Sequence, residues 1–150
     1  MLPILLSLFF SGVVATPALA VGDVAVQLPN YPLSTCLVTG KPLDLEPILH
    51  DQEGQLVALC CKGCVKKMVA DPTKYLAILN KAVIDKQKSG YPFDTCLVMD
   101  GEPLVEDEVV DHVYQSRLFR FCCEGCVDGF VEDPAAYQAK VDAALIKKQS

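Results

Sequence analysis

The chain is poor in the residues that hydrolytic enzymes depend on. Its 150 residues include only two histidines, His50 and His112. It has no Ser/His/Asp arrangement and no glycine-rich phosphate loop, so hydrolytic catalysis has no visible machinery. A non-enzymatic role is expected. There is no basic surplus either, since the formal net charge is −6. Residues 31–90 carry eight Lys and six Asp/Glu, net +2, whereas residues 91–150 carry five Lys/Arg and twelve Asp/Glu, net −7. Binding nucleic acid requires a basic face to neutralise phosphates, so nucleic acid is not expected as a partner. The asymmetry reads as solvated faces, with scope for attraction between the halves.

A long hydrophobic run is missing too. The first twenty residues, MLPILLSLFFSGVVATPALA, carry no charged side chain, but their apolar run from Ile4 to Ala15 is short. A bilayer span needs ~20 residues. The run suits the core of a secretory signal, with Ala18 and Ala20 at the small-residue positions of a cleavage site. A signal peptide over 1–20 is therefore expected, giving an exported, periplasmic or extracellular protein with no membrane attachment after cleavage. Because no Lys or Arg precedes the run, an uncleaved anchor or a buried N-terminal helix stands as the alternative.

What the chain does contain is a phrase written twice. YPLSTCLV at 31–38 matches YPFDTCLV at 91–98 in six of eight positions, and residues 60–76 match 122–138 in nine of seventeen. The offset is 60 in the first block and 62 in the second, so two residues were gained or lost in between. Such self-similarity marks duplicated modules, expected over 30–87 and 90–148 with a break at Ser89-Gly90.

Each module parses alike. PILHD, a QEG turn and QLVALC read as a β-hairpin, matched by EVVDHVYQSRLFRFC. Gly63 or Gly125 is expected to turn the chain into a short helix, with Val65, Met68 and Val69, or Val127, Phe130 and Val131, at helical spacing. Asp71-Pro72 and Asp133-Pro134 look like an N-cap followed by proline in the first turn. A longer helix follows, with Tyr75, Leu79, Ala82 and Val83 on one face, or Tyr137, Val141, Ala144 and Leu145. The expected fold class is α+β: two tandem small modules, each a hairpin followed by a short and a longer helix. Units under 60 residues seldom bury enough apolar surface to stand alone, so they need staples.

The eight cysteines are the candidates, at matching places: Cys36, Cys60, Cys61 and Cys64; Cys96, Cys122, Cys123 and Cys126. Cys60 ends a strand and Cys64 opens a helix, an arrangement that can aim two sulfurs at one point. The helix N-terminus is expected to favour the thiolate that metals require. Cys36 can add a third sulfur from across the fold. Cys61 can complete a tetrahedral set, or leave that place to water, a carboxylate or a partner's ligand. Zinc takes such sites, and so do softer ions such as copper(I), about one per module. Disulfides remain open, because an even cysteine count in an exported protein commonly means bridges. Redox chemistry is the third reading, since CKGC and CEGC have dithiol spacing, although neither module has the parallel-sheet pattern of dithiol oxidoreductases.

A cysteine, a gap of two dozen residues, a further Cys-x-x-x-Cys, then a helix and DPxxY: in this the chain resembles the TRASH domains and the related YHS domains. Those are small treble-clef-like zinc-finger relatives, and the former are associated with trafficking, resistance and sensing of heavy metals. The resemblance covers both modules. It implies Cys36, Cys60 and Cys64 as one ligand set and Cys96, Cys122 and Cys126 as the other. Many treble-clef relatives have a second cysteine soon after the first, where this chain has Thr39 and Gly40, or Met99 and Asp100. A four-sulfur site then falls to Cys61 and Cys123.

His50 and His112 occupy equivalent places, ten residues before Cys60 and Cys122. With a hairpin turn at Glu53-Gly54, His50 would face Val57, ~10 Å along the strand from Cys60. A surface or turn position is therefore expected, not a ligand. Met99 offers a soft sulfur near Cys96, although methionine commonly serves as core filler. Two functions follow. One is an exported protein that traffics, buffers or senses a thiophilic metal. The other is a disulfide- or zinc-stapled interaction module docking to an envelope protein partner.

Overall fold

Two-residue hairpin loops favour a type I′ turn, which needs positive φ at both central residues. Glu53 and Gly54 adopt φ of 55° and 81°, joining β1 (Ile48–Gln52) to β2 (Gln55–Leu59) in antiparallel register with His50 opposite Val57. The second hairpin makes the same turn without glycine. Gln115 and Ser116, at φ 47° and 59°, link β3 (Val110–Tyr114) to β4 (Arg117–Phe121). In this computed structural model residues 27–149 and Val24 are described, and the expected signal segment over 1–20 lies outside the described residues.

After each hairpin comes a short and then a longer helix: α1 (Lys62–Ala70) and α2 (Pro72–Gln87), then α3 (Gly125–Glu132) and α4 (Pro134–Gln149). Asp71 accepts the Lys74 amide at 3.4 Å and Asp133 accepts the Ala136 amide at 3.2 Å, so both are side-chain caps with proline following. The chain is thus α+β, two tandem modules built alike. Among the described residues no helix is long and apolar enough to cross a membrane.

The core of each module lies between hairpin and helices. Val57, Leu59, Met68 and Leu79 fill the first; Phe119, Phe121, Phe130 and Val141 stand at the equivalent places in the second. Phe130 meets His112, Tyr114, Phe119, Phe121 and Tyr137 with ring centroids 4.5–5.7 Å apart. Truncating so enclosed a ring costs ~3–5 kcal/mol in typical cores. Val69 and Val131 do lie at helical spacing on the short helices, but both are 55% exposed. On helices this short, Cys64 with Met68 and Cys126 with Phe130, each four residues apart, already take the buried stripe. Gly63 and Gly125 do not make a turn either: they lie inside the first helical turn without positive φ.

A second duplicated device seals the outer edge of each hairpin. In a hairpin with a two-residue loop, alternate amides of the second strand point away from the first and need other acceptors. The Leu56 amide donates to Gln27 Oε1 at 2.7 Å and the Ala58 amide to the Tyr31 hydroxyl at 3.0 Å, while Gln27 Nε2 donates to Gly54 O at 3.1 Å. The copy repeats this bond for bond. Leu118 N donates to Gln87 Oε1 at 2.9 Å, Arg120 N to the Tyr91 hydroxyl at 3.2 Å, and Gln87 Nε2 to Ser116 O at 2.8 Å. Gln87 is the last residue of α2, so the first module's long helix closes the second module's hairpin, and the end of α2 lies against β3 and β4. Ser116 also reaches Gln27 at 3.5 Å, tying both clamps together.

Charge distinguishes the copies. Arg120, at the place of Ala58, is buried, with Nε donating to Asp111 at 2.8 Å and both Nη atoms to Glu106 at 2.8 and 3.0 Å. Lys88, just past α2, joins Glu106 at 2.8 Å. Arg117 pairs with Asp142 where the first module has the amide pair Gln55–Asn80 at 2.9 Å.

Candidate metal centres

Three segments meet at each centre. The first is a loop held by an isolated bridge, Thr35 to Pro42 or Thr95 to Pro103, one residue longer in the copy. Within it the Cys36 amide donates to Lys41 O at 2.7 Å and the Cys96 amide to Glu102 O at 2.8 Å, which fixes the first cysteine of each module. The second segment is the end of β2 or β4, followed directly by Cys60 or Cys122. The third is the first turn of α1 or α3, with Cys64 or Cys126.

The sulfurs of Cys36, Cys60 and Cys64 lie within 4.8 Å of one another, and those of Cys96, Cys122 and Cys126 do the same. The Cys60–Cys64 separation is 3.6 Å and the Cys122–Cys126 separation 3.7 Å. Donors about 2.3 Å from a tetrahedral ion stand roughly 3.8 Å from each other, so the spacing fits an ion among the three. It is far beyond a disulfide bond of about 2.05 Å, and all eight cysteines are free. The residues present therefore suit one thiophilic ion per module. The identity of that ion is not set by the sulfurs, which accept several.

Cys61 and Cys123 stand outside these mutually close trios. Both are exposed, and they touch Cys64 at 3.4 Å and Cys126 at 3.5 Å. Cys36, Cys64, Cys96 and Cys126 are buried, with Cys60 and Cys122 between. Each centre therefore has a buried floor and an exposed thiol at its mouth.

Protonation is divided within each trio. Burial opposes ionisation of Cys36, but the Thr39 hydroxyl and the amides of Cys60, Thr39 and Val38 donate to its sulfur and bring its pKa down to about 6. Cys96 is lowered in the same way, against burial, by the amides of Met99, Cys122 and Val98. The helix N-terminus does not make thiolates of Cys64 and Cys126 as expected. Burial, followed by contact with the neighbouring cysteines, pushes Cys64 up to about 12 and raises Cys126 as well. Cys61 and Cys123 are lowered, chiefly by hydrogen bonds from Cys64 and Cys126. The low-pKa thiols are thus those with several donors aimed at them.

The histidines lie in β1 and β3, not in surface loops. Both are half-buried, and His112 meets Phe130 edge to face at 5.4 Å, where burial lowers its pKa. Neither belongs to a sulfur cluster. One contributor went unread in the sequence: Thr39 Oγ1 sits 3.6 Å from Cys60 Sγ. Met99, which the sequence offers as a soft sulfur near Cys96, has its Sδ 3.9 Å from Cys122 Sγ. Their shared place, three residues after the first cysteine, was the available signal. A cleft of about 220 Å³ between the modules, lined by Lys86, Tyr91, Arg117, Leu118, Val141 and Leu145 among others, contains no cysteine.

Comparison with known protein families, with curated proteins and with solved structures finds no match to this chain.

Proposed function

We propose that this is an exported, non-enzymatic protein of the TRASH/YHS type that binds a heavy or transition metal, zinc or copper(I), at two tandem cysteine sites for trafficking, buffering or sensing. One observation carries the reading: sulfurs from positions 36, 60 and 64 converge within 4.8 Å, and their counterparts at 96, 122 and 126 converge equally. Two dozen residues separate the first sulfur from the second, so the fold itself has to bring them together. Three close cysteine sulfurs leave the fourth position without a thiolate, and a site not closed by four thiolates favours exchange over permanent structural metal. Cys61 and Cys123, exposed beside the trios, are placed to pass an ion in or out.

The ion supplies a thiophilic charge centre that joins loop, strand end and helix. The chain's own part is to hold the thiols in register and to favour the thiolate forms of Cys36 and Cys96 through the donors aimed at their sulfurs. Because the ion would join segments that lie far apart in sequence, binding also staples modules too small to rely on apolar burial alone.

Metal analysis of protein purified reduced and anaerobically tests the proposal. About two equivalents are expected, with Cys64→Ser and Cys126→Ser each removing one. Metal content unchanged in both variants ends the metal reading. Loss of about eight hydrogens on oxidation with no metal retained, read by mass spectrometry, would instead support a disulfide-stapled module docking to an envelope protein.

A further inference from the structure

The two centres are not chemically equal, and the difference lies at one position. Three residues after the first cysteine, each loop bends back over the sulfurs. In the first module this residue is Thr39, whose hydroxyl donates to Cys36 and lies 3.6 Å from Cys60 Sγ. In the second it is Met99. Its backbone amide donates to the Cys96 sulfur, and its thioether lies 3.9 Å from Cys122 Sγ. That separation matches the edge of about 3.8 Å expected between two donors on one tetrahedral ion.

Packing does not account for Met99. Met68 is fully buried in its core cluster, whereas Met99 is 49% exposed and belongs to no core cluster among the described residues. A side chain free to extend into solvent instead lays its sulfur against a cysteine.

We infer that Met99 is the fourth donor of the second centre, making it a three-thiolate, one-thioether site that selects a soft monovalent ion such as copper(I) over zinc. The first centre, with a hydroxyl at the same corner, lacks this bias. Thioethers are uncharged and polarisable, so they add little for a harder divalent ion and favour soft ions. One chain then presents two sites of different preference. This inference rests on the metal-binding reading above.

The test uses the full-length reduced chain carrying Cys64→Ser, which leaves the second centre intact. Copper(I) and zinc affinities are measured by competition with chromophoric chelators, with and without Met99→Leu. Met99→Leu should lower copper(I) affinity at least about tenfold, on the scale of lost supporting groups in metal sites, while zinc affinity stays within about threefold. Thr39→Met, in a Cys126→Ser background, should raise copper(I) affinity of the first centre. Selenomethionine labelling gives a direct readout: selenium absorption spectra should show a copper neighbour that disappears in Met99→Leu, with Met68 as the internal control. Unchanged copper(I) affinity together with no selenium–copper contact overturns the inference and leaves metal binding standing. A Cys64→Ser protein that holds neither ion sinks both.

Discussion

Gln87 ends the long helix of the first module, yet its side-chain oxygen accepts the amide of Leu118, a strand residue of the second module, at 2.9 Å. Gln87 Nε2 in turn donates to Ser116 O at 2.8 Å. Gln27 holds the first hairpin through the equivalent pair of bonds. The modules are therefore chained, each hairpin closed by the helical residue that precedes it. Gln87→Ala should destabilise the protein by roughly 1–3 kcal/mol, because it leaves the buried Leu118 amide without its acceptor. Urea unfolding checks this, and hydrogen exchange should show the loss of protection centred on β4. Gln87→Glu keeps an acceptor for Leu118 but turns an oxygen toward the Ser116 carbonyl where Nε2 donates, so it should destabilise as well.

Metal uptake should release fewer protons than there are thiols. With a pKa near 6, Cys36 is already a thiolate at pH 7.5, while Cys64, near 12, must give up its proton to the ion. Calorimetry of metal binding to Cys126→Ser protein, in buffers of different ionisation enthalpy, should count fewer than three protons per ion. The count should rise by about one as pH falls through 6. Three protons at pH 7.5 would show that Cys36 is protonated in the free site.

Hydrogen bonds from Arg120, then Lys88, hold Glu106 down to about 2, from an ordinary value of 4.5. A carboxylate lowered on folding stabilises the native state above its unfolded value and loses that contribution as pH falls through its folded value. Glu106→Gln should therefore lower the Tm at pH 7, with a gap that narrows between about pH 4.5 and 2 and then closes. A gap independent of pH would remove the ion pair as its cause.

The second hairpin turns through two non-glycine residues in the left-handed region, each at a cost of roughly 1 kcal/mol. Gln115→Gly relieves one of them without touching the Ser116 carbonyl that Gln87 holds. A Tm increase of a few degrees is expected for so small a protein, measured by calorimetry of the metal-free form.

Oxidation of the metal-free protein should pair Cys61 with Cys64 and Cys123 with Cys126 first, since these sulfurs stand 3.4 and 3.5 Å apart and one of each pair is exposed. Peptide mapping after mild oxidant identifies the bridges. A bound ion, by occupying Cys64 and Cys126, should slow their formation.

Much was legible along the chain. The duplicated cysteine phrases, the Glu53-Gly54 turn, the Asp-Pro helix starts and the α+β order of elements all follow from short-range rules, because turns, caps and periodicity depend on residues a few positions apart. The clamps of Gln27 and Gln87 were not legible, since a glutamine becomes informative only once a strand amide 29 or 31 residues away needs an acceptor. Nor was the protonation of Cys64 and Cys36. Helix position argued for a thiolate at Cys64, but burial and neighbouring sulfurs outweigh a partial charge at a helix end, and Cys36 gains donors that only the folded loop supplies. That two like units would each bring four thiols could be read along the chain alone. Which three converge, which one stays at the mouth, and that a threonine in one unit and a methionine in the other lie against them came from the folding of distant segments onto one another, because those relations depend on distances that local rules do not specify.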